Sequence, residues 1–235
     1  MAPEIKIIGL GGINAYLVGA AGGFVLIDTG ASGGFVLIDT GTAGKRDRLD
    51  EELRKAGCRP GNLRLIVMTH GDHDHSGNGA YLRDKYGAAI LLHQGDSGMV
   101  ERGDMTWNRK AKPDRFPLAF RMGLKIVSLL SRPGKFETFV PDLYVEDGHD
   151  LSPWGLDARV LHLPGHSKGS LGVLTSGGDL FCGDLLCNFG KPRFVFIDDL
   201  AEAEASVEKL KGLAVGTVYP GHGKPFAMKQ FLARH

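Results

Sequence analysis

Apolar residues in this chain come in short runs, and nearly every run ends in a polar or glycine-rich turn. Ile5 to Ile8 and Ile13 to Val18 predict two opening strands. Lys45 to Ala56 carries Leu49 and Leu53 at i, i+4, which predicts an amphipathic helix stopped by Gly57. Leu63 to Met68 predicts a buried strand, Gly77 to Tyr86 a helix and Ala88 to Leu92 a further strand. Strands resume at Asp157 to Leu163, Ser170 to Thr175 and Leu180 to Cys182, and Val215 to Tyr219 is the last. Asp199-Leu200-Ala201-Glu202 has a capping-box pattern that opens a helix reaching Leu210. Strand-rich halves with helices after strands predict an α/β fold, with two sheets packed face to face and helices outside. A single domain over 1–235 is expected.

Two stretches break the pattern. Gly22 to Gly30 recurs without change as Gly33 to Gly41, an offset of 11 residues, so one strand is duplicated within 22–41. Two copies do not make a stacked repeat architecture. The second copy, with the shorter path to the His-rich segment that follows, is expected to hold the strand position. The first copy then becomes an extra strand or an extruded loop, at modest entropic cost. From about 94 to 143 the periodicity fades amid several prolines, a basic scatter (Arg102, Arg109, Lys110, Lys112, Arg115, Arg121, Lys125) and an apolar stretch. This predicts a helical excursion across the top of the domain. The basic residues are interleaved with acids, so they read as a solvated helix face.

Composition narrows the class. A net charge of +1 argues against a protein built mainly for nucleic acid. No apolar run is long enough to span a membrane. The N-terminus lacks the pattern of a signal peptide, and three cysteines without framework spacing fit a reducing compartment. The expected location is cytoplasmic. The expected partner is a small-molecule substrate, and the sequence carries no signal for oligomeric state.

The chemistry lies just past strand ends. Three His and two Asp crowd into His70-Gly71-Asp72-His73-Asp74-His75 after the run Leu65 to Met68. Such a set is poor core material, because each buried polar group needs a partner. A metal ion serves all of them at once, and imidazole with carboxylate suits Zn, Mn or Fe. Three further turns follow apolar strands with ligand-type residues: Pro164-Gly165-His166, Gly183-Asp184 and Pro220-Gly221-His222. Gly allows close backbone approach and Pro fixes the entry angle, so both devices place an imidazole rigidly.

These residues resemble the metallo-β-lactamase fold superfamily. Its pattern is an Asp-Thr-Gly strand end, His-x-His-x-Asp-His, a lone His, a lone Asp and a final His. The matches are Asp39-Thr40-Gly41, His70-x-Asp72-x-Asp74-His75, His166, Asp184 and His222, covering about Ile5 to His222. The resemblance implies a four-layer αβ/βα sandwich with two divalent metal ions on one edge. It implies that His70, Asp72 and His166 bind the first ion, that Asp74, His75 and His222 bind the second, and that Asp184 bridges them. Asp39 would orient ligands from behind. The departure is Asp72, where the family has a second His. An oxygen donor there makes the first site harder and more negative, which favours Fe or Mn over Zn at that position; Zn remains the expected metal overall. His73 is expected to point away, since side chains alternate in an extended loop.

The expected function is a binuclear metal-dependent hydrolase acting on a small ester, thioester, lactone or lactam. A bridging water would be lowered toward hydroxide by the two ions, and Asp74 would carry the proton to the leaving group. His93, at a strand end on the same rim, and Lys168, two residues past His166, are candidate substrate contacts. Ser167 reads as a cap. The alternatives are an iron-dependent redox enzyme of the same fold, flavodiiron-like or persulfide dioxygenase-like, and a metal-binding scaffold weakened by Asp72. Iron with oxygen uptake would mark the former, and a fully metallated but inactive protein the latter.

Overall fold

Alternation decides which layer each strand residue enters. In β3 (Gly34–Ile38), Val36 and Ile38 face one way and Leu37 the other, and all three are buried. β4 (Leu63–Val67) repeats this with Leu65 and Val67 against Ile66, and β2 (Asn14–Ala20) with Tyr16 and Val18 against Leu17. A strand buried on both faces needs material on both sides, and the computed structural model supplies it; it describes residues 3–20, 34–115 and 136–234.

One sheet has the order β1-β2-β3-β4-β5-β6, adding β1 (Ile5–Gly9), β5 (Ala89–Leu92) and β6 (Leu143–Tyr144). Its β1, β2 and β3 are antiparallel, and β3 to β6 run parallel. The other sheet brings together β7 (Ala158–His162), β8 (Leu171–Thr175), β9 (Asp179–Gly183), β12 (Thr217–Pro220) and β13 (Phe226–Ala227), in the order β13-β12-β9-β8-β7. Here β9 and β12 are the parallel pair. A small ribbon of β10 (Cys187–Asn188) and β11 (Pro192–Arg193) lies between them in sequence. Between the sheets Tyr16, Val36, Leu65 and Leu91 meet Val160, Val173 and Phe181. Outside the first sheet, α1 (Arg46–Lys55) and α3 (Gly79–Tyr86) contribute Leu49, Leu53, Leu82 and Tyr86. Outside the second, α5 (Leu200–Lys211) and α6 (Met228–Leu232) contribute Val207, Leu210 and Phe231. The result is the four-layer αβ/βα sandwich.

The second copy of the duplicated segment forms β3, paired with β2 on one side and β4 on the other. The first copy, and with it the extra-strand or loop expectation, lies outside the described residues, as does the apolar part of the excursion at 116–135. The described part of the excursion is less helical than expected. After α4 (Ser97–Glu101) the chain to Arg115 is a series of turns, so its basic residues do not share a helix face. Arg102 lies over Trp107 and Lys110 pairs with Asp114 and Asp199. Asp199 caps α5 through Glu202 N at 3.2 Å, but Glu202 does not return the bond; it pairs with Lys168 at 2.7 Å. Among the described residues no helix is long and apolar enough to cross a membrane.

Candidate metal centre

The C-terminal ends of β3, β4, β9 and β12, with the turn after β7, converge on one rim and carry Asp39, His70, Asp184, His222 and His166. After His70 the backbone does not stay extended. Asp72 C=O accepts from His75 N and Ser76 N, both at 2.8 Å, and this closes one helical turn, α2 (His73–Ser76). Alternation therefore does not govern His73. Its ring stacks on Phe136 with centroids 3.8 Å apart. The same turn separates Asp72 from Asp74 and His75, so the motif serves two neighbouring clusters.

In the first cluster Asp72 Oδ2 lies 3.0 Å from His166 Nε2 and 3.6 Å from His70 Nε2. In the second, Asp74 Oδ2 lies 3.8 Å from His75 Nε2 and 3.6 Å from His222 Nε2, and the two imidazole nitrogens are 3.5 Å apart. Each trio offers its ligand atoms within 4.8 Å of one another. Asp184 joins the second cluster, with Oδ2 3.1 Å from His222 Nε2 and Oδ1 3.5 Å from His75 Nε2. The His70 and His75 rings are 4.2 Å apart, so the clusters adjoin.

Each of the four imidazoles is held at Nδ1 by a protein oxygen and presents Nε2 inward. Asp39 Oδ2 holds His75 at 2.9 Å, Thr69 Oγ1 holds His70 at 2.9 Å, Gly12 C=O holds His222 at 2.9 Å and Phe196 C=O holds His166. That is how metal-ligating histidines are oriented. Asp39 also accepts from Thr69 N and Oγ1, and it reaches this position with a left-handed φ of 59°. Close packing accounts for two glycines. A Cβ on Gly221 would lie 2.3 Å from Asp184 Oδ1, and one on Gly165, already at φ 135°, would strike Ala203 at 2.5 Å.

Among the buried polar atoms without a hydrogen-bond partner, two are ligand atoms of these clusters: His70 Nε2 and Asp184 Oδ1. Such atoms are costly unless something satisfies them. Divalent cations ligated by imidazole and carboxylate would do so, and the donor set fits them. Burial, with His75 and His166 close by, holds His70 well below its ordinary pKa, so its ring is neutral and able to ligate. Burial alone would also lower His75, but Asp184, Asp74 and Asp39 outweigh it and hold that ring well above the ordinary value. His222 is raised in the same way, against its burial, by Asp184.

Two residues that the sequence did not mark as site residues belong here. Arg109 Nη2 donates to Asp72 Oδ1 at 2.7 Å and lies 3.4 Å from His166 Nε2. Its side chain is only 15% exposed, so it does not belong to a solvated face. Asp96, fully buried, accepts from Gly71 N, Ser167 Oγ and Gly169 N at 3.0, 2.7 and 2.8 Å, tying the His70 loop to the His166 turn. Ser167 therefore serves Asp96 rather than capping a helix. His93 and Lys168 lie outside both clusters. His93 stacks on His162 at 4.1 Å with Glu146 at 3.3 Å, and Lys168 is held by Glu202. Cys182 and Cys187 are free and buried, burial pushes the Cys182 thiol up to about 12, and neither joins a ligand cluster among the described residues.

The sequence profile of the family described as metallo-beta-lactamase superfamily matches residues 8–222. The chain is 28% identical to acyl-coenzyme A thioesterase MBLAC2 of Bos taurus over 229 residues, covering 92% of this chain and 75% of that protein. It is 30% identical to hydroxyacylglutathione hydrolase of Vibrio cholerae over 164 residues, covering 68% of this chain but only 48% of that enzyme. In three dimensions it resembles TTHA1623, solved in a di-iron-bound form, with a TM-score of 0.64 at 24% identity, covering 98% of this chain and 97% of that one.

Proposed function

The chain belongs to the metallo-beta-lactamase superfamily, and from that premise we propose that it is a binuclear metal-dependent hydrolase of thioesters, folded as one domain. The observation that carries the metal reading is the set of inward-facing Nε2 atoms beside two buried ligand atoms without partners, His70 Nε2 and Asp184 Oδ1. His70, Asp72 and His166 would hold one divalent ion; Asp74, His75 and His222 the other; Asp184 would lie between. Bound ions of this kind lower the pKa of water and polarise a carbonyl oxygen. Asp39 and Thr69 keep His75 and His70 in the tautomer and rotamer that ligation needs. Asp74, the most exposed of the cluster carboxylates at 38%, is placed to take a proton and pass it to the leaving group.

Thioesters are favoured over the wider set of esters, lactones and lactams because the two relatives described above are named for the hydrolysis of acyl-coenzyme A and hydroxyacylglutathione, both thioesters. A thiolate leaving group also asks less of the proton carrier than an amine does. Zinc suits the imidazole-rich second cluster, and the Asp72 oxygen opens the first to iron or manganese. Three buried free thiols fit a reducing cytoplasm.

The test is elemental analysis of untagged protein purified without chelator, followed by hydrolysis of acyl-CoA and acylglutathione thioesters. About two equivalents of metal with thioester cleavage is the expected result. Two equivalents without cleavage of any thioester, ester or lactone would leave a binding scaffold. Iron with oxygen uptake would move the assignment to redox chemistry.

A further inference from the structure

The first cluster contains a cation of its own. Arg109 Nη2 is 2.7 Å from Asp72 Oδ1 and 3.4 Å from His166 Nε2, the nitrogen that faces the other ligand atoms. Its position is built rather than incidental. Asn108 adopts φ 55° and ties its amide to Gly95 C=O at 2.8 Å. On the other side Lys110 N donates to both oxygens of buried Asp198 at 3.0 and 3.1 Å. The backbone is pinned on either side of residue 109, so the guanidinium is presented to the cluster from a fixed support.

The second cluster has no counterpart. Among the described residues no Lys or Arg pairs with Asp74, Asp184 or Asp39. Formal charge therefore cancels between Asp72 and Arg109 in the first cluster, while in the second it is carried by several carboxylates at once. A divalent ion entering the first cluster must come close to a guanidinium in a site of low dielectric, where like charges repel strongly. An ion entering the second meets the carboxylates of Asp74 and Asp184 with no Lys or Arg among the described residues beside them.

We propose that Arg109 is a resident counter-ion of the first cluster, so that the protein takes divalent cations in order: tightly at Asp74, His75 and His222, then weakly at His70, Asp72 and His166. This rests on the reading that both clusters bind metal. Asp72 replaces a neutral ligand of the family pattern, and Arg109 returns the cluster to neutrality. The substitution and the guanidinium act as one unit.

The experiment is a titration of the chelator-stripped full chain with Zn²⁺, and separately with Mn²⁺, against a chromophoric competing chelator. Wild type should bind one equivalent tightly and a second at least tenfold more weakly. Arg109→Met should tighten the second equivalent at least tenfold and leave the first unchanged, whereas Arg109→Lys, which keeps the charge, should retain the wild-type spread. A second equivalent unchanged or weakened in Arg109→Met overturns the inference. Should that variant fail to fold, Asp72→Asn decides: loss of only the weak equivalent supports the order, and loss of the tight one overturns it. Wild type that binds no metal removes the metal reading and the inference together. Two equal affinities that Arg109→Met leaves alone remove only the inference.

Discussion

The two ligand clusters lie side by side on one rim, share a motif and differ in how their charge is balanced. The first is sealed by an internal ion pair and carries no net formal charge in its carboxylate and guanidinium. The second is open at Asp74, rich in carboxylate and balanced only by imidazoles whose pKa values are raised. Similar donor atoms at similar spacings therefore make one site whose carboxylate is balanced by a resident guanidinium and one that depends on protons or metal for its balance. Distances alone would have made them equivalent; the partners behind the ligands set them apart.

The largest expected break is Asp184→Ala. This carboxylate lies on His75 and His222, and its loss should remove at least one metal equivalent and nearly all hydrolysis, read by elemental analysis and thioester turnover. Unchanged metal content would refute a bridging position. Next, alanine at the two motif aspartates should separate the clusters in the metal-free protein. Asp72→Ala leaves the partly buried Arg109 without its carboxylate, at a cost of about 3 kcal/mol, while Asp74→Ala should cost about 1 kcal/mol or less. Denaturant melts in chelator report both, and equal losses would erase the contrast.

Asp39→Asn should act mainly on the second cluster. It disturbs the direct bond to His75 Nδ1, so affinity there should fall by roughly 10- to 100-fold, with a smaller fall at the first cluster, whose His70 Asp39 reaches only through Thr69, in the same chelator competition. The smallest effect is on pH dependence. His75 and His222 have raised pKa values in the metal-free fold. Their stabilisation is thus complete below their ordinary pKa of about 6.5 and is lost as pH rises through the folded values. Stripped protein should melt a few degrees lower on the alkaline side, since roughly 1 kcal/mol corresponds to about 2–4 °C at this size. Metal-saturated protein should not show that decline.

Much of this was legible from residue order. Strands such as Leu63–Val67 stand out because both faces are apolar, and the helix carrying Leu49 and Leu53 because its stripe has one period. The candidate ligands are legible because each sits in a compressed motif directly after such a strand. Arg109 and Asp96 were not. They come from a segment without periodicity and reach partners 25 to 73 residues away in the chain. An arginine among scattered acids and bases looks the same in sequence whether it faces water or a buried aspartate; only the fold brings Asp72 to it. His73 does stay out of both clusters, as expected, but not by alternation: the carbonyl of Asp72 closes a helical turn, which the alternation of an extended strand does not foresee.

The repeat has a kinetic consequence. Two identical nine-residue copies compete for one slot between β2 and β4, and identical side chains cannot choose between them. Only the connections differ. With Gly23 in the place of Gly34 opposite Ala20, β2 would be joined to the next strand by Ala21 and Gly22 alone, the shortest common hairpin link. Short loops close first. A refolding chain thus meets the earlier copy before the one that forms β3, and exchanging them means unzipping a central strand from both neighbours. A slow refolding phase that vanishes when residues 22–32 are deleted would be its signature, with the same native sheet reached by both chains.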